Sequence, residues 1–219
     1  MPEFDLVGGR PSLDFLNTMS GLRVVNPKEK LLVYPDLIAW ARQARLLDGR
    51  RAARLLAEAE RHPRRAALAL EEAIALREAL HDVIVAGTEE REASPAALDT
   101  VNQWIASSLQ HRRLRAKGPG KFELAFEDDD DWLGFLRPLA VDAAELLTRE
   151  LPSGRVHRCE ERSEEGCGWL FLDETRNHSR RWCSMRDCGN RAKQRRHWQR
   201  NRPRTSDLGP QGTRASTAK

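Results

Sequence analysis

Tyrosine is almost missing from this chain, with one residue in 219, and phenylalanine is scarce at six. Cysteine is absent from residues 1–158. No apolar run approaches the roughly 20 residues that cross a bilayer. The opening MPEFDLVGGR is acidic and lacks the basic-then-apolar order of an export signal. These absences predict a cytoplasmic chain with no membrane partner. Thiols stay reduced in that compartment, so clustered cysteines suggest metal more than disulfides. Catalytic signatures are lacking as well. There is no glycine-rich phosphate loop, nucleophile elbow or metal-spaced histidine pair, and His62, His81 and His111 are scattered. No internal repeat is visible, and no enzyme is expected.

What is present is a charge division. Thirteen of the 37 basic residues lie in 176–219 against two of the 33 acidic ones, so that end carries +11 while residues 1–175 carry −7. A mildly acidic body with a concentrated basic end is the footprint of a polyanion-binding module. Residues 203–219 read as a disordered tail. With 40% hydrophobic residues the remainder can bury a core.

Along the body, Leu13, Phe15 and Leu16 supply core contacts, with Asp14 and Asn17 expected to cap or fix a turn. KLLVY at 30–34 reads as a short strand. Pro35-Asp36 opens a helix carrying Leu37, Trp40, Ala41, Ala44 and Leu47, and Gly49 stops it. A helix over about 50–61 and a long third one follow, the latter with the stripe Ala69, Ala73, Leu76, Leu80 and Val83. Ser94-Pro95 starts a fourth, marked by Leu98, Val101, Ile105 and Leu109. Residues 111–121 read as a basic loop and 121–127 as a half-buried strand. Beyond the acidic run 128–131 comes a fifth helix, which Pro138 either kinks or begins. LPSGR at 151–155 is the expected domain boundary. The fold class is therefore α+β. A mostly helical domain over 1–151 with a few short strands precedes a small cysteine-bearing module over 155–202, treble-clef-like, built from a hairpin and a basic helix.

The cysteines fall as Cys159-x7-Cys167-x15-Cys183-x4-Cys188. Two pairs about fifteen residues apart suit one tetrahedral, structural Zn2+ with no open position for substrate. The first spacing is long, and His157 or His178 stands as an alternative to Cys159. Between the pairs, Trp169 and Phe171 alternate with Leu170 and Leu172, as in a strand of a small hairpin. So small a module needs the metal for much of its folding energy. Chelation is expected to unfold it and leave the body intact.

Ser184 reads as an N-cap with Asp187 three residues on, opening a helix to about Asn201. At 100° per residue, Met185, Cys188 and Ala192 face the metal. Nearly opposite lies a neutral stripe of Asn190, Gln194, His197 and Asn201. Lys193, Arg196 and Arg200 flank it on one side, and Arg191, Trp198 and Arg202 on the other. Asn and Gln can read base edges while Arg and Lys neutralise phosphates. Arg180 and Arg181, just before the helix, could add phosphate contacts, and Trp182 reads as core.

CGWLFLDETRNHSRRWCSMRDCGNRAKQRRH, residues 167–197, resembles the CGNR zinc finger, named for the segment at 188–191. PSLDFLNT at 11–18 and LIAWARQARLLD at 37–48 are similar to the ABATE domain, which precedes this finger in bacterial stress-induced transcription regulators. The resemblance implies one zinc on Cys159, Cys167, Cys183 and Cys188, and a role in DNA binding. It departs at the first pair, where family members usually have about four intervening residues. The expected function is a DNA-binding transcription regulator, with DNA favoured over RNA, a homodimer to double the contacts, and an effector or dimerisation role for the body. The alternatives are an RNA- or ribosome-associated zinc protein, or an enzyme with its site in the N-terminal domain.

Overall fold

Apolar residues at helical spacing build most of the chain. The structure, a computed structural model, describes residues 3–23, 25–127, 130–161 and 166–201. Arg202, the 203–219 tail, part of the acidic run and most of the insert between Cys159 and Cys167 lie outside the described residues.

A short helix α1 (Pro11–Leu16) leads to a minimal ribbon of β1 (Met19–Ser20) and β2 (Lys28–Glu29). Helices α2 (Tyr34–Gln43), α3 (Gly49–Arg61), α4 (Pro63–Thr88) and α5 (Pro95–Gln110) follow. A hairpin of β3 (Arg112–Gly118) and β4 (Lys121–Phe126) precedes a 3₁₀ turn at Gly134–Leu136, and α6 (Arg137–Glu145) then runs into a π turn at Leu146–Glu150. Pro138 sits in the first turn of α6, so it begins the helix. The C-terminal part holds β5 (Val156–Arg158), β6 (Leu170–Leu172), a π turn at Met185–Gly189 and α7 (Asn190–Arg200). The class is α+β, as expected.

Helix α4 is the spine. Its predicted stripe of Ala69, Ala73, Leu76, Leu80 and Val83 is buried and packs with Leu13, Phe15, Leu37 and Trp40 in one core. Arg77 is also fully buried on α4. Its guanidinium donates to both carboxylate oxygens of Glu29, at 2.7 and 2.6 Å, and to Thr18 Oγ1 at 3.1 Å. This ion pair ties the β1–β2 ribbon to the spine. Glu78 also accepts Arg77 Nε at 2.9 Å, so the buried guanidinium is held between two carboxylates.

Three sequence expectations need correction. KLLVY forms no strand: Glu29 accepts the Lys30 and Leu31 amides, Asp36 accepts those of Leu32 and Val33, and Tyr34 already starts α2. Carboxylates have taken the amides that a ladder would use. The basic stretch after His111 is strand rather than loop, with Arg112 opposite Phe126 and Leu114 opposite Leu124. Its apolar alternation is hidden among cations. The helix opened by Pro35-Asp36 ends at Gln43, and Gly49 does not stop it but begins α3 behind the Asp48 cap.

The core does not stop at the expected boundary. Val156, Leu170 and Leu172 belong to the same cluster as the body helices, whereas Phe171 points the other way, into the cysteine cluster. Strand β6 is thus buried on both faces, one serving each core, which explains its unbroken apolar run.

Candidate metal centre and nucleic-acid interface

The four cysteines reach one point from three pieces of backbone. Cys159 follows β5, Cys167 precedes β6, Cys183 lies just before the π turn and Cys188 inside it. All four are buried, and their Sγ atoms lie within 4.8 Å of one another. Cys183 Sγ is 3.4 Å from that of Cys167 and 3.6 Å from that of Cys188. These distances exclude S–S bonds, which are about 2 Å long. They match the roughly 3.8 Å edge of a tetrahedron of sulfurs at ~2.3 Å from zinc.

The surroundings suit thiolates. The Cys183 amide donates to Cys159 Sγ at 3.4 Å, and Arg191 Nη2 to Cys188 Sγ at 3.1 Å. The Cys188 thiol is lowered to about 7: contact with Cys159 raises it, while Cys167, Cys183 and the Arg191 guanidinium more than offset that. Contact with Cys167 pushes Cys159 down, and contact with Cys159 pushes Cys167 and Cys183 up. Thiols this close compete for protons unless a cation sits among them. His157 and His178 stay outside the group, and His178 Nδ1 lies against the Asp173 carbonyl.

Local sequence explains the approach of α7. Ser184 caps the turn as expected, accepting the Asp187 amide at 3.3 Å and donating to its carboxylate at 2.7 Å. The first turn is wide, however, with the Gly189 amide bonding back five residues to the Ser184 carbonyl at 2.9 Å. That rotates Met185, expected to face the metal, out to 50% exposure. The inward stripe is instead Cys188, Ala192 and Arg195. Arg195 forms a two-point ion pair with Glu161, itself 1% exposed, at 2.5 and 3.1 Å. Sequence reasoning missed both residues, although Arg195 continues the Cys188–Ala192 spacing by one helical turn.

The predicted contact residues divide. Asn190, Arg191, Lys193, Gln194, Arg196, His197, Arg200 and Asn201 are all exposed on α7 and its last turn. Arg196 also lies 5.8 Å from the Trp182 ring centre. Arg181 is exposed and ion-paired to Glu160. Arg180, expected at a phosphate, turns inward. Its guanidinium donates to the carbonyls of Trp182 (3.0 Å), Leu172 (3.3 Å), Val7 (3.0 Å) and Cys183, and stacks 4.4 Å from the Phe171 ring centre. With its donors spent on carbonyls, Arg180 is a strut between body and finger. Trp182 packs against the cysteine cluster, as expected of a core residue.

Asn17 is the corresponding strut from the body. Its amide donates to the Leu170 carbonyl at 2.9 Å and accepts the Leu170 amide at 3.0 Å, substituting for a neighbouring strand. Trp169 Nε1 donates to the Met19 carbonyl at 3.1 Å. Gly168, at φ +68°, lies so close that a Cβ would meet the Gly21 carbonyl at 2.4 Å. Asn17 caps α1 with its backbone as expected, while its side chain serves a partner 153 residues away.

Comparison with known proteins agrees with this architecture. Residues 155–201 match the CGNR zinc finger, and 9–150 match ABATE, described as "Putative stress-induced transcription regulator". No curated protein matches the chain. The four cysteines of that finger lie close enough together to bind one zinc ion. On the extent of the first match and the architecture completed by the second, the chain belongs to the ABATE family and carries a C-terminal CGNR zinc finger.

Proposed function

We propose that this protein is a cytoplasmic DNA-binding transcription regulator, with no enzymatic role. Cys159, Cys167, Cys183 and Cys188 hold one structural zinc, and α7 is the element that meets nucleic acid. The observation that carries this reading is the exposed, cationic α7 that continues directly from Cys188 of the buried thiol cluster, with Ala192 buried on its inner side. The zinc would supply positive charge among four thiolates and lock the π turn. Lys193, Arg196 and Arg200 neutralise phosphates, while Asn190 and Gln194 read base edges. Duplex binding should weaken with salt, with a log–log slope that falls by about one for each phosphate contact removed. Charge-removing variants at 193, 196 and 200 should weaken all sequences alike. Asn190→Ala and Gln194→Ala should instead flatten sequence preference, and equal loss on every sequence would remove the base-reading role. An effector site is assigned to the apolar groove among Leu32, Tyr34, Leu56, Ala66 and Leu70, to be tested by ligand-dependent melting.

A second reading rests on Trp198, which is 74% exposed on the same helix. An exposed indole among arginines suits stacking on unpaired bases. Competition between duplex DNA and structured RNA separates the two: preference for RNA would replace the first reading with the second.

A further inference from the structure

The β3–β4 hairpin carries a largely exposed apolar face, bounded at one end by the Arg112 guanidinium 5.3 Å from the Phe126 ring centre. Leu114, Ala116, Phe122, Leu124 and Phe126 alternate onto that face, and Leu114, Phe122 and Leu124 are 70%, 66% and 52% exposed. A two-stranded ribbon is at best marginally stable in water when uncovered. Contiguous exposed apolar surface marks an interaction site.

Its free edge specifies the occupant. The Glu127 amide donates to the His111 carbonyl at 2.8 Å, so odd-numbered β4 residues bond inward to β3. Phe122, Leu124 and Phe126 therefore direct their amides and carbonyls to the outer edge. Strand β3 carries Arg112, Arg113, Arg115 and Lys117 and no acid, so two copies of it would repel. Strand β4 is self-complementary. Laid antiparallel against its own copy about Leu124, it sets Phe122 beside the partner's Phe126 and Lys121 opposite the partner's Glu127, twice over by symmetry.

We propose that the outer edge of β4 pairs with β4 of a second copy of this chain, joining the hairpins into one four-stranded antiparallel sheet in which Phe122, Leu124 and Phe126 gain apolar cross-strand neighbours from the second copy. The interface is isologous, with its two-fold axis at Leu124. A nucleic-acid ribbon is the weaker assignment, because Lys117 and Arg113 are already ion-paired to Glu123 and Glu127 at 2.6 and 3.0 Å. The proposal does not depend on the DNA-binding reading, since assembly is measured without nucleic acid.

The test is sedimentation of the full-length protein at tens of micromolar, with circular dichroism to confirm folding. The wild type should be dimeric. Lys121→Glu and Glu127→Lys should each weaken the dimer by at least about tenfold, and the double swap should restore it. Rescue would isolate the contact between copies, because the swap leaves the Arg113–Glu127 pair within each hairpin broken. Leu124→Cys should crosslink with its own copy on oxidation, since directly opposed residues at a hydrogen-bonded position have Cα atoms ~5.5 Å apart. A monomeric wild type overturns the proposal, as does a dimer that survives Leu124→Lys. Loss of duplex binding by Arg115→Glu in a monomeric protein would assign the hairpin to nucleic acid instead.

Discussion

Asn17 bonds both polar groups of one peptide residue across the seam between body and finger. Asn17→Ala would leave a buried amide and a buried carbonyl of Leu170 without partners, at a cost of about 2–3 kcal/mol. Urea unfolding should show that loss without a change of fold. Asp14 lies nearby and behaves differently. Burial, opposed by the Gly8 amide it accepts and aided by the nearby Asp142 charge, raises its carboxyl to about 6. In the unfolded chain it ionises near 4. Between about pH 4 and 6 the folded state therefore binds more protons, so this residue makes stability fall as pH rises through that window. Asp14→Asn keeps an oxygen for Gly8 and removes the titration. It should be more stable than wild type at pH 7 by on the order of 1–2 kcal/mol, with the difference vanishing below pH 4. Thermal melts across pH measure it.

Among the elements, β6 decides how the finger responds to metal. Its Leu170 and Leu172 lie in the body core, and only Phe171 lies in the cysteine cluster. The sequence-based expectation of a wholly unfolded module after chelation is therefore revised. Hydrogen exchange should show α7 and the 183–189 turn losing protection when metal is stripped, while 156–158 and 170–172 remain protected. Equal exposure of both segments would show that the body does not hold β6. What was legible in the sequence followed from local rules. The α4 stripe, the Ser184 cap and the outward Asn190–Gln194–His197–Asn201 stripe all obey spacing within one helix. What was not legible depends on partners distant in sequence. Arg180 faces inward because its carbonyl acceptors come from Val7 as well as from its own loop. The basic strand β3 was hidden because its apolar partners stand on β4.

At the scale of the whole molecule, the family assignment divides the chain near residue 150, but the packing does not. A fragment ending at Gly154 would lose Val156, Leu170 and Leu172 from its core, at ~1.5–3 kcal/mol per side chain. It should melt well below the full-length protein, and adding the finger in trans should recover little. The shared core is reinforced at the seam by the contacts of Asn17, Trp169 and Arg180. The indoles differ in exposure from body to α7, which gives the protein an optical property. Trp40 and Trp132 are buried in the body, Trp104, Trp169 and Trp182 are half-buried, and Trp198 stands in water on α7. Emission should therefore separate by wavelength, with the red edge reporting α7 and the blue edge the body. Nucleic acid stacking on α7 should quench the red edge alone, and Trp198→Phe should abolish that quench while leaving the blue emission unchanged. The chain would thus report occupancy of its basic helix without any added dye.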